Sequence, residues 1–181
     1  MLLAEAPGAL APSNPFGEFA TGTWFLLRTR SRQEKVIAND LAARRVLHFL
    51  PLMTCVRYYG HRKTVVDVPL FPGYVFLRGE AEEAYAADRA GRLAQIMRIS
   101  DQERVEEELR NIWLALTQNA ELSHYPYLKK GVRVEVRSGP FRGLRGVIEE
   151  MGKRDRLILQ VNTLGRAVCL EVDAALLDVI E

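Results

Sequence analysis

The chain has 181 residues, 48% of them hydrophobic, enough for one ordinary core or two small ones. Its 25 Lys and Arg nearly balance 23 Asp and Glu, and a net charge of +2 does not by itself choose a partner. No apolar run approaches the roughly 18 residues needed to cross a bilayer, and the opening Met1–Pro7 lacks a basic region before its short apolar stretch, so the expectation is a cytoplasmic protein with no membrane partner.

Charge is segregated along the chain. Between Arg28 and Lys63 nine Lys and Arg stand against Glu34 and Asp40, whereas between Glu80 and Glu108 nine acidic residues stand against four Arg. Such segregation suits a basic face for a phosphate backbone beside an acidic flank, and equally two ordinary solvated faces.

Residues 1–22, rich in Ala, Pro, Gly, Ser and Thr, read as a disordered leader. Trp24-Phe25-Leu26-Leu27 suits a buried strand. Ser31 followed by Glu34 has the spacing of a capping box, opening a helix to about Arg45 with Val36, Ile37, Ala38 and Leu41 inward. Val46 to Pro51 reads as a strand, and 53–68 as a hairpin with Gly60-His61 near its tip. Pro69-Leu70-Phe71-Pro72-Gly73 is a rigid connector, since each proline fixes φ and removes a donor. Tyr74–Leu77 is a strand; a helix near 81–91, a strand near 95–99 and a helix over 103–118 follow, the last with Val105, Leu109, Ile112, Trp113 and Leu116 at helical spacing. Residues 119–130 read as a linker. Five short β-rich segments then occupy 131–137, 144–150, 156–161, 166–172 and 176–180, a count that favours a small closed barrel.

Two stretches carry a resemblance. Trp24-Phe25, Glu34, Leu41, Pro51 and above all Pro69-Leu70-Phe71-Pro72-Gly73-Tyr74-Val75-Phe76 are similar to the N-terminal (NGN) domain of the NusG family of transcription factors. Lys130-Gly131-Val132-Arg133-Val134 and Ser138–Val147 resemble a KOW motif, whose glycines permit tight turns. The resemblance implies an α+β protein: residues 23–118 as an NGN α/β sandwich, an antiparallel sheet with flanking helices, joined by the linker 119–130 to a five-stranded SH3-like KOW β-barrel at 131–181. The connector is closer to the specialised RfaH and UpxY types than to housekeeping members, which implies a monomeric elongation factor that suppresses pausing and termination. The alternatives are a housekeeping factor coupling polymerase to Rho or the ribosome, or a KOW protein of the ribosome or RNA.

Three surfaces follow from it. The clamp-helix coiled coil of RNA polymerase is expected on Phe71, Pro72, Tyr74 and Phe76, with the rings of Phe71 and Tyr74 held outward and Phe76 equally suited to the domain's own core; alanine at Phe71 or Tyr74 should then weaken polymerase binding and leave the fold intact. Non-template DNA in the transcription bubble is expected on Arg30, Arg32, Gln33 and Lys35, extended by Arg62 and Lys63, the alternative being a solvated basic turn. Thr163, Leu164, Gly165 and Arg166 correspond to a loop that contacts Rho or a small-subunit ribosomal protein, although Thr163 stands where a bulky apolar residue is common.

Nothing points to catalysis, a cofactor or a metal. His48, His61 and His124 lie in unrelated contexts, and Gly139–Gly146 lacks the Gly-Lys-Ser/Thr of a phosphate loop. Cys55 and Cys169 read as small hydrophobes in a reducing compartment.

Overall fold

The structure is a computed structural model that describes residues 14–127, 131–148 and 156–180. The chain divides into two units, Met1–Gln102 and Glu103–Glu181.

In the first unit, β1 (Thr23–Thr29), β2 (Leu47–Phe49), β5 (Tyr74–Gly79) and β6 (Leu93–Arg98) form an antiparallel sheet in the order β2-β5-β1-β6. Successive residues of a strand point to opposite faces, and both faces are apolar here. Phe25, Leu27, Val75 and Leu77 meet Ile37 and Leu41 of α1 (Glu34–Ala43) and Ala84 of α2 (Ala81–Ala86) in one buried cluster. On the other face Leu26 stands opposite Phe76, and Phe76 opposite Phe49. Phe16 closes this second face, its ring 5.6 Å from Trp24 and 5.3 Å edge-on from Phe49, while the Arg78 guanidinium lies 5.5 Å from the Trp24 ring centre. Part of the segment 1–22 expected as a disordered leader is thus ordered. Residues 14–20 make turns that seat Phe16, and Arg78 donates to the Pro15 carbonyl; residues 1–13 lie outside the described residues.

β3 (Leu52–Tyr59) and β4 (Arg62–Pro69) form a separate two-stranded ribbon with Tyr59 opposite Arg62. Val36, expected inside, is exposed, while Ile37, Ala38 and Leu41 are buried. Two residues past the end of α1 at Ala43, Arg45 has a positive φ, and the backbone bonds from Arg45 N–H to Ala42 and from Val46 N–H to Leu41 are those of a left-handed helix terminus.

The second unit begins along α3 (Gln102–Thr117), which buries Val105, Leu109, Ile112 and Ala115. Of α3, which falls within the expected domain 23–118, residues 103–117 lie in the second contact unit. The sheet of that unit comprises β7 (Ser123–Tyr125), β8 (Val132–Val136), β9 (Arg145–Ile148), β10 (Arg156–Val161), β11 (Arg166–Glu171) and β12 (Leu177–Val179). Its order is β12-β8-β9-β10-β11-β7.

Two expectations are corrected. The region read as a linker contributes β7, which was too short to show a period. The five-stranded closed barrel is, among the described residues, a six-stranded sheet without closure, because β7 takes the free edge of β11 and pairs the backbone groups that closure would have used. Within the KOW-like segment Gly139 and Gly143 have positive φ in the turn, but Gly146 serves differently: a Cβ there would sit 2.6 Å from the Ile158 carbonyl, so only glycine lets β9 approach β10.

Candidate nucleic-acid interface

β1 ends in a bulge at Arg28/Thr29 and runs into a tight turn in which Gln33 N–H donates to the Arg30 carbonyl. Arg32 occupies the third position of that turn with φ of +60°, a conformation that favours glycine. Arg45 and Asn119, the two other non-glycine residues with positive φ among those described, both follow helix ends; Arg32 precedes a helix and has no such reason. Backbone strain of this kind tends to be kept where function requires it.

The capping box does not form. Gln33 is the N-cap and makes no side-chain cap, and Glu34 is buried with Oε1 accepting the Gly73 N–H at 2.7 Å. Glu34 thus ties the start of α1 to the connector 69–73, and Thr29 N–H bonds the Gly73 carbonyl beside it. A reciprocal box of the expected kind does exist at α2, between Glu80 and Glu83.

Arg28, Arg30 and Arg32 are exposed, and no side-chain partner among the described residues holds them. Arg92 is anchored to Asp40 at 3.4 Å. Lys35 spends one donor on the Asp67 carbonyl at 2.6 Å, which fastens the helix start to the base of β4. Arg62 and Lys63 are exposed at the far end of that strand, five residues or about 16 Å beyond Asp67. The sequence-predicted basic residues therefore lie at two stations, turn and tip. Arg28 belongs to the expected basic junction Arg28–Gln33, whereas Arg57, Tyr58 and Tyr59 at the tip are additions to the expected set, signalled only by the absence of any acidic residue in Arg57-Tyr58-Tyr59-Gly60-His61-Arg62-Lys63.

The expected outward ring of Phe71 is contradicted, while Tyr74 keeps part of its surface open. Phe71 is 1% exposed and Phe76 0%, whereas Pro72 is exposed and Tyr74 half-buried. Pro69 ends β4 and Pro72 lies in a turn, but neither decides which way the ring between them points, and Phe71 gains more by burial. Tyr74 and Phe76 do share one face of β5, as alternation requires.

In the second unit, Thr163, Gly165 and Arg166 are exposed and Leu164 is half-buried around a single 3-10 turn, Asn162–Leu164. Asn162 anchors this loop. Glu108 Oε2 accepts its backbone N–H at 3.0 Å, the Glu108 carboxylate also accepts from its side-chain amide, and Tyr127 donates to its Oδ1. Burial pushes the Glu108 carboxyl above the usual range, opposed by the bonds from Asn162 and by Arg104. A cleft of about 410 Å³ beside it is lined by Glu107, Asn111, Arg133 and Arg145 among others, but these charges pair with one another: Arg145 lies 2.7 Å from Glu135 and 3.5 Å from Glu107. Burial also pushes His48 down, partly offset by its bond to the Val46 carbonyl. Among the described residues no group of His, Cys, Asp and Glu could hold a metal, and no helix is long and apolar enough to cross a membrane.

Fold and site together describe a small mixed α/β protein built on antiparallel sheets. The family profile described as transcription termination factor nusG matches residues 22–112, half of the chain. The chain belongs to the NusG family, whose members are non-enzymatic factors of transcription elongation and termination that interact with RNA polymerase. A solved structure from Thermotoga maritima, concerning domain interaction in NusG, is similar at 23% identity over 88% of this chain and 97% of that chain, with a TM-score of 0.42.

Proposed function

We propose that this chain is an elongation factor that rides on RNA polymerase and suppresses pausing and termination, with the turn at Arg30, Arg32 and Gln33 lying against the exposed non-template DNA strand. The observation that carries the DNA contact is the strained Arg32 among unpartnered arginines: a guanidinium is presented to solvent at a backbone position where glycine would be less costly. Polymerase is held at the rim of the connector by Pro72 and Tyr74, with Phe71 and Phe76 as the buried support beneath them. The coiled coil at the clamp is the partner the family resemblance implies. The exposed Thr163–Arg166 loop supports a second reading, in which Rho or a small-subunit ribosomal protein docks there.

The test is transcription in vitro on a template carrying a pause and an intrinsic terminator. Shorter pauses and more read-through are expected, and charge reversal at Arg30 and Arg32 should reduce retention on DNA-containing elongation complexes more than on free polymerase. Enhanced termination dependent on Rho would favour the second reading. No co-purification with polymerase after nuclease treatment would overturn both.

A further inference from the structure

The β3–β4 ribbon ends in a cluster of the wrong composition for a solvated turn. Tyr59 is 62% exposed and stands directly opposite Arg62. Arg57, two residues earlier on the same strand, projects to the same face and stands opposite Thr64. One exposed ring is thus flanked by two exposed guanidinium groups. No Asp or Glu occurs anywhere from Leu52 to Val66, so nothing on the outer ribbon neutralises them. The opposite face differs: Val56, Tyr58 and Val65 are exposed there with Lys63 as its one cation. An aromatic plane accepts any unpaired base, and arginines beside it meet the flanking phosphates.

We infer that the ribbon tip is a second station for single-stranded DNA, on which Tyr59 stacks one unpaired base between phosphates held by Arg57 and Arg62. This deepens the proposed function and rests on it, the tip being a further contact for the same strand, on the ribbon that Lys35 ties to the start of α1. Charge complementarity selects the occupant: two uncompensated guanidiniums favour a polyanion over an apolar protein segment, for which the Val56–Val65 face is the better match. The tip lies about 16 Å along β4 from Asp67, where Lys35 is fastened, so it extends the footprint instead of duplicating the first contact.

Fluorescence anisotropy of the full chain with a labelled 12-nucleotide oligothymidylate tests this. Tyr59→Ala should weaken binding about tenfold; Tyr59→Phe, which keeps the ring, should bind like the unaltered protein. The salt dependence should be unchanged by Tyr59→Ala but shallower by about 1.4 in log–log slope for the Arg57→Gln/Arg62→Gln pair. An abasic oligonucleotide should bind the unaltered protein as weakly as the thymidylate binds Tyr59→Ala. If Tyr59→Ala binds normally while Arg30→Glu/Arg32→Glu does not, the tip is no station and the turn stands. If Tyr59→Ala fails and the turn variant is normal, the tip stands and the turn reading falls. Tighter binding of RNA or of duplex DNA, or a loss caused by Val56→Glu/Val65→Glu instead, would overturn the assignment to single-stranded DNA.

Discussion

Phe71→Ala distinguishes support from contact. The Phe71 ring is 1% exposed, so truncating it removes a buried side chain and leaves a cavity in the first unit. Substitutions of this kind destabilise by about 3–5 kcal/mol. For a unit of this size each kcal/mol lowers Tm by about 4–8 °C, so a fall of roughly 12–40 °C is expected. Phe71→Leu, which retains most of the apolar volume, should lose about 1.5 kcal/mol. Tyr74→Ala, on a half-buried ring, should lose about 1 kcal/mol. Calorimetric melts of the full chain provide the stabilities, and a polymerase pull-down run at several temperatures provides the binding. Loss of binding by Phe71→Ala should follow its unfolded fraction and recover on cooling, whereas loss by Tyr74→Ala should persist at every temperature. A Phe71→Ala variant that melts within about 4 °C of the parent yet no longer holds polymerase would show the ring to be a contact in the docked state and not its buried support.

Two further expectations follow from the turn and from α3. Arg32→Gly relieves left-handed strain of about 1–2 kcal/mol while giving back part of it as glycine's chain entropy, so it should raise stability by about 0.5 kcal/mol and still bind DNA less well; a less stable Arg32→Gly, read by urea unfolding, would argue against the strain. The Glu108 carboxyl is raised in the folded state, chiefly by burial, so the fold keeps a proton that the unfolded chain releases near its ordinary value of 4.5. That contribution to stability is full below pH 4.5 and is lost as pH rises through the folded value. The difference between the parent and Glu108→Gln in denaturant midpoints from pH 4 upward isolates it; a parent that gains stability over that window relative to Glu108→Gln would contradict the sign.

Most of the element order was legible in one dimension. The apolar run at Trp24–Leu27, the turn at Gly60-His61 and the helical stripe from Val105 to Leu116 are local patterns, and each became the expected strand, hairpin or helix. The NusG-like stretch of the first unit was legible for the same reason, since its residues are contiguous. Edges and partners were not. β7 has three residues and exists because β11 offers it an open edge, and Phe16 is ordered because Trp24 and Phe49 receive its ring.

The amino-acid order by itself determined where the chain extends, coils and turns, and which segments are basic, because those depend on neighbours within a few residues. Through-space contacts alone turn Phe71 inward, carry Glu34 to Gly73 instead of a cap on its own helix and, among the described residues, leave the sheet of the second unit without closure. Each of those outcomes is a choice between satisfying a group locally and satisfying it with a residue distant in the chain. Burial and buried hydrogen bonds are through-space quantities, and the distant partner prevailed.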